Sequence, residues 1–151
     1  MSFARLKEIT DISKEEKIPF WEVVLRDDMK ERNVSREASF QTMDGMLTAM
    51  EEADRSYSPE LKSASGLAGG DGAKLEAAHH ENSKLVGDFI AEVMERAVKM
   101  GESNACMKRI VAMPTAGSCG VIPAVIITYM KQKGVDRHRI VEALYVAGGI
   151  G

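Results

Sequence analysis

Apolar positions recur along most of this chain with the 3.6-residue period of a helix that buries one face. Phe3, Leu6, Ile9 and Ile12 fall three apart on a first segment. Ser13 with Glu16 has the spacing of a capping box, and Pro19 suits the first turn of a second helix with the stripe Trp21, Val24, Leu25 and Met29. Ser35 is placed to cap a third helix, with Phe40, Met43, Met46, Leu47 and Met50 on its buried face and Gly45 at a close crossing. The clearest pattern runs from Ser83 to Met100, where Val86, Phe89, Ile90, Val93, Met94 and Ala97 keep the period and Gly101 reads as the stop. A short segment opens at Asn104-Ala105 and runs through Cys106 and Met107 to Ile110. Val121 to Met130 is apolar nearly all round, which predicts a buried helix; Pro123 fits its first turn and would break a strand ladder. Gly134 ends that helix, and Asp136 caps a last one carrying Ile140, Val141, Leu144 and Tyr145. With no convincing hairpin signal, the pattern predicts an all-α fold, a single helical domain.

Two stretches of small residues interrupt the stripes. From Ser56 to Gly72 the composition shifts to Ser, Pro and Gly, as in a surface connection. Leu67 and the pair Gly69-Gly70, set before Asp71 and a helical segment, point to more than a linker. Amides from Gly66 to Gly70 are able to cradle a carboxylate or a phosphate. No Gly-Lys-Ser/Thr follows, so this is not a Walker loop, and Asp71 is placed to cap the helix beginning near Gly72. The second stretch is Pro114-Thr115-Ala116-Gly117-Ser118-Cys119-Gly120. A helix starting near Ser118 aims free N–H groups and a positive dipole end at that turn, a setting for an anion that also favours a thiolate at Cys119. The residues alone equally describe a tight turn before a buried helix, with Cys119 as a small core residue. His79 and His80 are adjacent, about 100° apart on a helix, so they cannot chelate one metal as an i, i+4 pair does. One exposed and one partly packed histidine is the expectation there, and His138 reads as part of a solvated helix start.

Composition narrows the class. A length of 151 residues fits one domain able to bury its own core. The net charge of −3 argues against nucleic acid as a partner. No apolar run has membrane-span length, and no early segment reads as a secretion signal. Two cysteines, Cys106 and Cys119, make no disulfide framework, so a reducing cytoplasm is the expected home. Cys106 has no motif around it and reads as packing. Ten methionines and few aromatics fit adaptable helix packing.

The wording of the two small-residue stretches adds a family. Residues 114–120 resemble the Pro-Thr-(Ala or Asn)-Gly-x-Cys-Gly motif in the α portion of the iron-sulfur L-serine dehydratases, and the likeness continues through Val121-Ile122-Pro123-Ala124-Val125 and into Ala147-Gly148-Gly149. Ser65-Gly66-Leu67-Ala68-Gly69-Gly70-Asp71 is similar to that family's Ser-Gly-Leu-Thr-Gly-Gly-Asp signature, with Ala68 where a Thr is usual. The resemblance implies deamination of L-serine to pyruvate and ammonia, with a [4Fe-4S] cluster acting as Lewis acid on the leaving hydroxide. It implies Cys119 as a cluster ligand. It implies substrate contacts from Ser65, Gly66, Leu67, Gly69, Gly70, Asp71, Asn104, Thr115, Ala116, Gly117 and Ser118; capping a helix is the other reading of Asn104. The general base is not identified; Asp71, Lys74, His79 and His80 are candidates. A β-type subunit and oligomerisation are implied as partners. The family's further cluster cysteines have no match here, so residues 1–151 are read as the N-terminal portion of a catalytic domain, truncated and inactive alone. Two alternatives stand beside this: a non-catalytic helical interaction module or remnant of the family, and a related cysteine- or threonine-deaminating enzyme. No Cys–His motif or recognisable pyridoxal-phosphate lysine supports a different catalytic class.

Overall fold

A computed structural model describes residues 2–80, 86–113 and 117–151. Seven helices cover most of them: α1 (Leu6–Glu16), α2 (Phe20–Arg32), α3 (Arg36–Arg55), α4 (Asp71–His80), α5 (Asp88–Ala105), α6 (Ser118–Lys133) and α7 (Arg137–Ile150). No strand occurs among the described residues, so the all-α expectation holds. No helix is long and apolar enough to cross a membrane among those residues. The helices gather into two compact units, residues 1–47 with 136–151, and residues 48–135. α3 supplies residues to both.

In the first unit α1, α2 and α7 pack together with the front of α3. Ile9, Val23, Val24, Leu25, Leu47, Ile140, Val141, Leu144 and Tyr145 form its core. The Tyr145 hydroxyl lies 2.7 Å from the Ser39 hydroxyl, which also bonds the Asp28 carboxylate, so a fully buried polar pair is satisfied inside the apolar layer. Glu22 is buried too, and its two oxygens accept from both Arg36 nitrogens at 2.8 and 2.6 Å. That bidentate bond to Arg36 holds its carboxyl below the usual range, against the opposing cost of burial. Gly149 marks a close crossing: a Cβ there would fall 2.6 Å from the Val24 Cγ2 and 2.9 Å from the Phe20 ring. Gly45 does not mark one, since a Cβ on it would meet open space.

Several boundaries differ from the periodicity reading. Ser13 and Glu16 close α1 and do not open a helix; the Ser13 hydroxyl donates to the Ile18 carbonyl at 2.6 Å, and left-handed Lys17 stops the helix. Pro19 sits just ahead of α2 as its N-cap. Ser35 caps α3 as expected, accepting from the Ala38 amide at 3.2 Å. Asp136 likewise caps α7, accepting from the His138 amide at 2.8 Å. His138 is not merely solvated, because its ring stacks on Phe40 with centroids 4.4 Å apart. α5 continues through Gly101 to Ala105, so no new segment opens at Asn104. Ser83 lies outside the described residues, and α5 begins only at Asp88. Pro123 is the sixth residue of α6, beyond its first turn, and is buried.

The second unit is built around α5, which packs on α4 and on α6. Its orientation departs most from expectation. Ile90 and Met94 are about half exposed, whereas Glu95 and Glu102 on the same helix are buried. α6 is not buried all round either: Val121, Val125 and Tyr129, four apart along one face, are exposed, while Ala124, Ile126, Ile127 and Thr128 face inward. The buried face of α5 is held by ion pairs. Lys99 reaches Glu95 at 2.6 Å and Glu76 at 3.1 Å, and Arg96 pairs with Glu92 at 2.8 Å and with Asp54.

Candidate functional site

The glycine-rich loop before α4 takes its shape from short local bonds. The Ser63 amide donates to the Ala68 carbonyl at 2.9 Å, the Gly66 amide to the Ser63 carbonyl at 2.8 Å, and the Ala68 amide to the Ser63 hydroxyl at 3.1 Å. The Leu67 amide reaches the Ser65 hydroxyl at 3.4 Å. This leaves Ser65, Gly66 and Leu67 at an exposed tip, with the Leu67 side chain 89% exposed. The base of the loop is tight. Gly69 has φ +129, and a Cβ there would lie 2.1 Å from the Leu61 carbonyl oxygen, so no side chain fits. The Lys62 ammonium bonds the Gly69 carbonyl from the other side.

Where the loop enters α4, the free amides of the first helical turn meet a carboxylate from the protein itself. Glu102 of α5 accepts from the Asp71 amide at 2.6 Å, from the Gly72 amide at 3.2 Å and from the Tyr57 hydroxyl at 2.8 Å. The cap of α4 is therefore Glu102, and not Asp71, whose exposed side chain bonds Lys74 at 2.7 Å. Burial pushes the Glu102 carboxyl up, but the Tyr57 hydroxyl and the amides of Asp71, Gly72 and Gly70 outweigh it and hold it below the usual range. Burial, reinforced by that carboxylate, pushes the Tyr57 hydroxyl up to about 12. The expected cradle was the run of amides from Gly66 to Gly70; the amides bonded to a carboxylate are those of Asp71 and Gly72, and that carboxylate is Glu102.

The second motif begins α6. Thr115 and Ala116 lie outside the described residues, as does Pro114. Gly117 is the N-cap with φ 83, a left-handed value that suits glycine. Its carbonyl accepts from the Gly120 amide at 3.1 Å and the Val121 amide at 3.3 Å. Ser118 and Cys119 follow as the first two helical residues, and both are half-buried. A Cβ on Gly120 would make ordinary contact with α5, 3.5 Å from the Ala97 carbonyl oxygen and 3.7 Å from the Met100 Cβ. At the other motif, a Cβ on Gly72 would press on the Lys99 Cγ at 2.5 Å and lie 3.2 Å from the Glu102 carboxylate. Both small-residue motifs thus lean on the same C-terminal stretch of α5, from Ala97 to Glu102.

The remaining candidates are distributed around this stretch. Asn104 is exposed at the end of α5, where its carbonyl accepts from the Met107 amide at 3.0 Å. Cys106 is half-buried beside Tyr57, Ser58, Leu61, Glu102 and Ser103, a packing position. His79 lies against α5 with Nδ1 3.5 Å from Glu95, the partly packed member of the histidine pair; the His80 side chain lies outside the described residues. An open polar cleft of about 340 Å³ runs between Asp54, Tyr57, Glu76, Glu95, Arg96 and Lys99. Periodicity missed Glu95 and Glu102 because an acidic residue on a helix scores as solvent-facing unless its partner is known.

The donor set tests the implied cluster. Among the described residues no three His, Cys, Asp or Glu side chains come together to hold a metal. Cys119 fits one corner of a cluster: a thiol in the first turn of a helix, at the edge of a small-residue loop. The other ligands of a cubane have no counterpart among these residues.

Serine dehydratase alpha chains, as a family, match residues 15–151. A probable L-serine dehydratase alpha chain of Bacillus subtilis is 34% identical over 149 residues, covering 99% of this chain and 50% of its own length. The L-serine dehydratase alpha chain of Peptoniphilus asaccharolyticus is 29% identical over 150 residues, 96% of this chain and 50% of its own length. A shorter match joins 56 residues, 36% of this chain, to 12% of an L-serine dehydratase from Streptomyces coelicolor at 43% identity. The chain thus spans half the length of the two alpha chains. No solved structure matches it.

Proposed function

The chain belongs to the serine dehydratase alpha-chain family, and from that premise we propose that it forms the loop-bearing half of an L-serine ammonia-lyase of the cytoplasm. The observation that carries this reading is that both small-residue motifs pack on the C-terminal turns of α5, Gly72 against Lys99 and Glu102 and Gly120 against Ala97 and Met100. A small zwitterion is held by short, polar backbone segments, and each motif supplies one. Ser65, Gly66 and Leu67 offer the exposed edge of one segment. Gly117 and Ser118 offer the other, at the positive end of α6, where a substrate carboxylate is favoured; Thr115 and Ala116 are proposed as further substrate contacts on their motif alone. Gly69, Gly70 and Asp71 serve by shaping the first segment, and Asn104, exposed at the end of α5, is proposed as a further substrate contact.

Cys119 is proposed as one thiolate ligand of a [4Fe-4S] cluster whose other ligands come from outside this sequence. When bound, such a cluster supplies a Lewis-acidic iron for the departing β-hydroxyl. This chain's own part is to hold the amino acid by its carboxylate and to keep the loop edges fixed around it. The base that removes the α-proton is not assigned to a residue of this chain. A β-type chain is the proposed partner, and residues 1–151 are proposed as the N-terminal portion of the catalytic domain.

The test is anaerobic co-expression of this chain with the complementary half of an alpha chain and with a β-type chain, followed by cluster reconstitution. Pyruvate should form from L-serine in preference to L-threonine or L-cysteine. A reconstituted assembly that holds iron yet deaminates none of the three amino acids would refute the reading.

A further inference from the structure

Glu102 is a buried carboxylate that no part of the proposed reaction uses. It comes from the last turns of α5, yet every bond it makes reaches across to another segment: the Asp71 amide at 2.6 Å, the Gly72 amide at 3.2 Å, and the Tyr57 hydroxyl at 2.8 Å. Tyr57 lies at the entrance of the connection from α3 to α4, and Asp71 and Gly72 lie at its exit. One carboxylate therefore closes a connection of more than a dozen residues onto α5. The Tyr57 hydroxyl also accepts from the Ala73 amide at 3.2 Å, so it relays the same contact one residue further into α4. Lys99, one turn earlier on α5, stacks over the Tyr57 ring at 5.4 Å and fixes the other side of the phenol.

We infer that Glu102 is the positioning residue of the glycine-rich loop, a built-in anion that occupies the amide cradle of α4 and sets the loop edge at which substrate binds. The inference rests on the proposed function for its substrate half and on geometry alone for its clasp half. Two consequences follow. The first turn of α4 is closed to the substrate carboxylate, because amides satisfied by an internal charge have no capacity for a second anion. Substrate contacts from this loop are then confined to its tip, Ser65 to Ala68. Glu102 does not touch substrate in this arrangement; it acts through the loop.

The experiment compares wild type, Glu102→Gln, Glu102→Ala and Tyr57→Phe in the complete enzyme. Two readouts are taken: hydrogen exchange at the amides of Asp71 and Gly72, and steady-state kinetics with L-serine. Loss of a charge-assisted acceptor should speed exchange in Glu102→Gln about tenfold or more, with a smaller rise in Tyr57→Phe, which removes one donor and keeps the carboxylate. The KM for L-serine should rise about tenfold while kcat and iron content stay near wild type, the signature of a lost binding geometry. Millimolar acetate should restore much of the KM in Glu102→Ala by refilling the cradle, which mere loss of fold stability does not allow. Unchanged exchange in Glu102→Gln and Tyr57→Phe overturns the clasp. Faster exchange with an unchanged KM overturns the loop as a substrate edge and leaves the clasp standing. A wild-type assembly without serine deamination defeats the proposed function, and the exchange result still decides the clasp.

Discussion

Tyr57 shows how one side chain reports on a site. Burial comes first and the Glu102 carboxylate second in pushing its hydroxyl up to about 12. Its unfolded value is near 10, so the folded protein holds this proton more tightly than the unfolded chain does. The stability it contributes is full below about pH 10 and is lost as pH rises through about 12. Thermal unfolding of wild type and Tyr57→Phe across that window should show the wild type losing its advantage as the pH rises, while the Phe variant lacks this component. A constant difference between the two across the window would contradict the bond to Glu102. The start of α6 near Ser118, which puts Cys119 in a first helical turn, was legible at this scale from its neighbours in sequence. Glu102 was not, because its meaning lies in amides some thirty residues away.

At the scale of the element, α6 separates two kinds of apolar residue that look alike in sequence. Ile127 is 1% exposed, while Val125 is 38% exposed on the outer face. Ile127→Ala should cost about 2–5 kcal/mol, transfer plus cavity, whereas Val125→Ala should cost about 1 kcal/mol or less. Chemical denaturation midpoints check this; equal losses would mean that α6 is covered on both faces. The helix itself was legible from its run of apolar residues and from Gly134, whose φ of +60 ends it. Which faces of α5 and α6 turn inward was not, since α5 buries ion pairs and leaves Ile90 and Met94 half out. An apolar stripe says that something covers it, and only the packed structure says whether that partner lies in the same chain.

At the scale of the whole molecule, one cysteine in one motif sets a limit. This chain has two cysteines, and the described residues gather no three metal-binding side chains. A single thiolate does not outweigh solvent competition and the entropy of holding a cluster, so the 151-residue chain alone should stay colourless after anaerobic reconstitution. In the complete enzyme Cys119→Ser should remove most of the iron, because a hydroxyl is a poor substitute for a thiolate, and Cys106→Ser should leave iron content nearly unchanged. Iron and sulfide counts decide the matter. A stoichiometric cluster on the isolated chain, or one retained by Cys119→Ser, would overturn the assignment of Cys119.

By itself the sequence determined the helical class, the caps at Ser35 and Asp136, the stops at Gly134, and the two small-residue motifs with their order. These are local properties, set by period, capping chemistry and backbone freedom within a few residues. The tertiary structure decided that α5 runs through Gly101, that its charged face turns inward, and that both motifs lean on residues 97–102. It also decided that Glu102, not Asp71, caps α4. The reason is physical: a buried carboxylate is stable only where distant donors converge on it, and the pattern of one segment carries no record of where another segment's amides will lie.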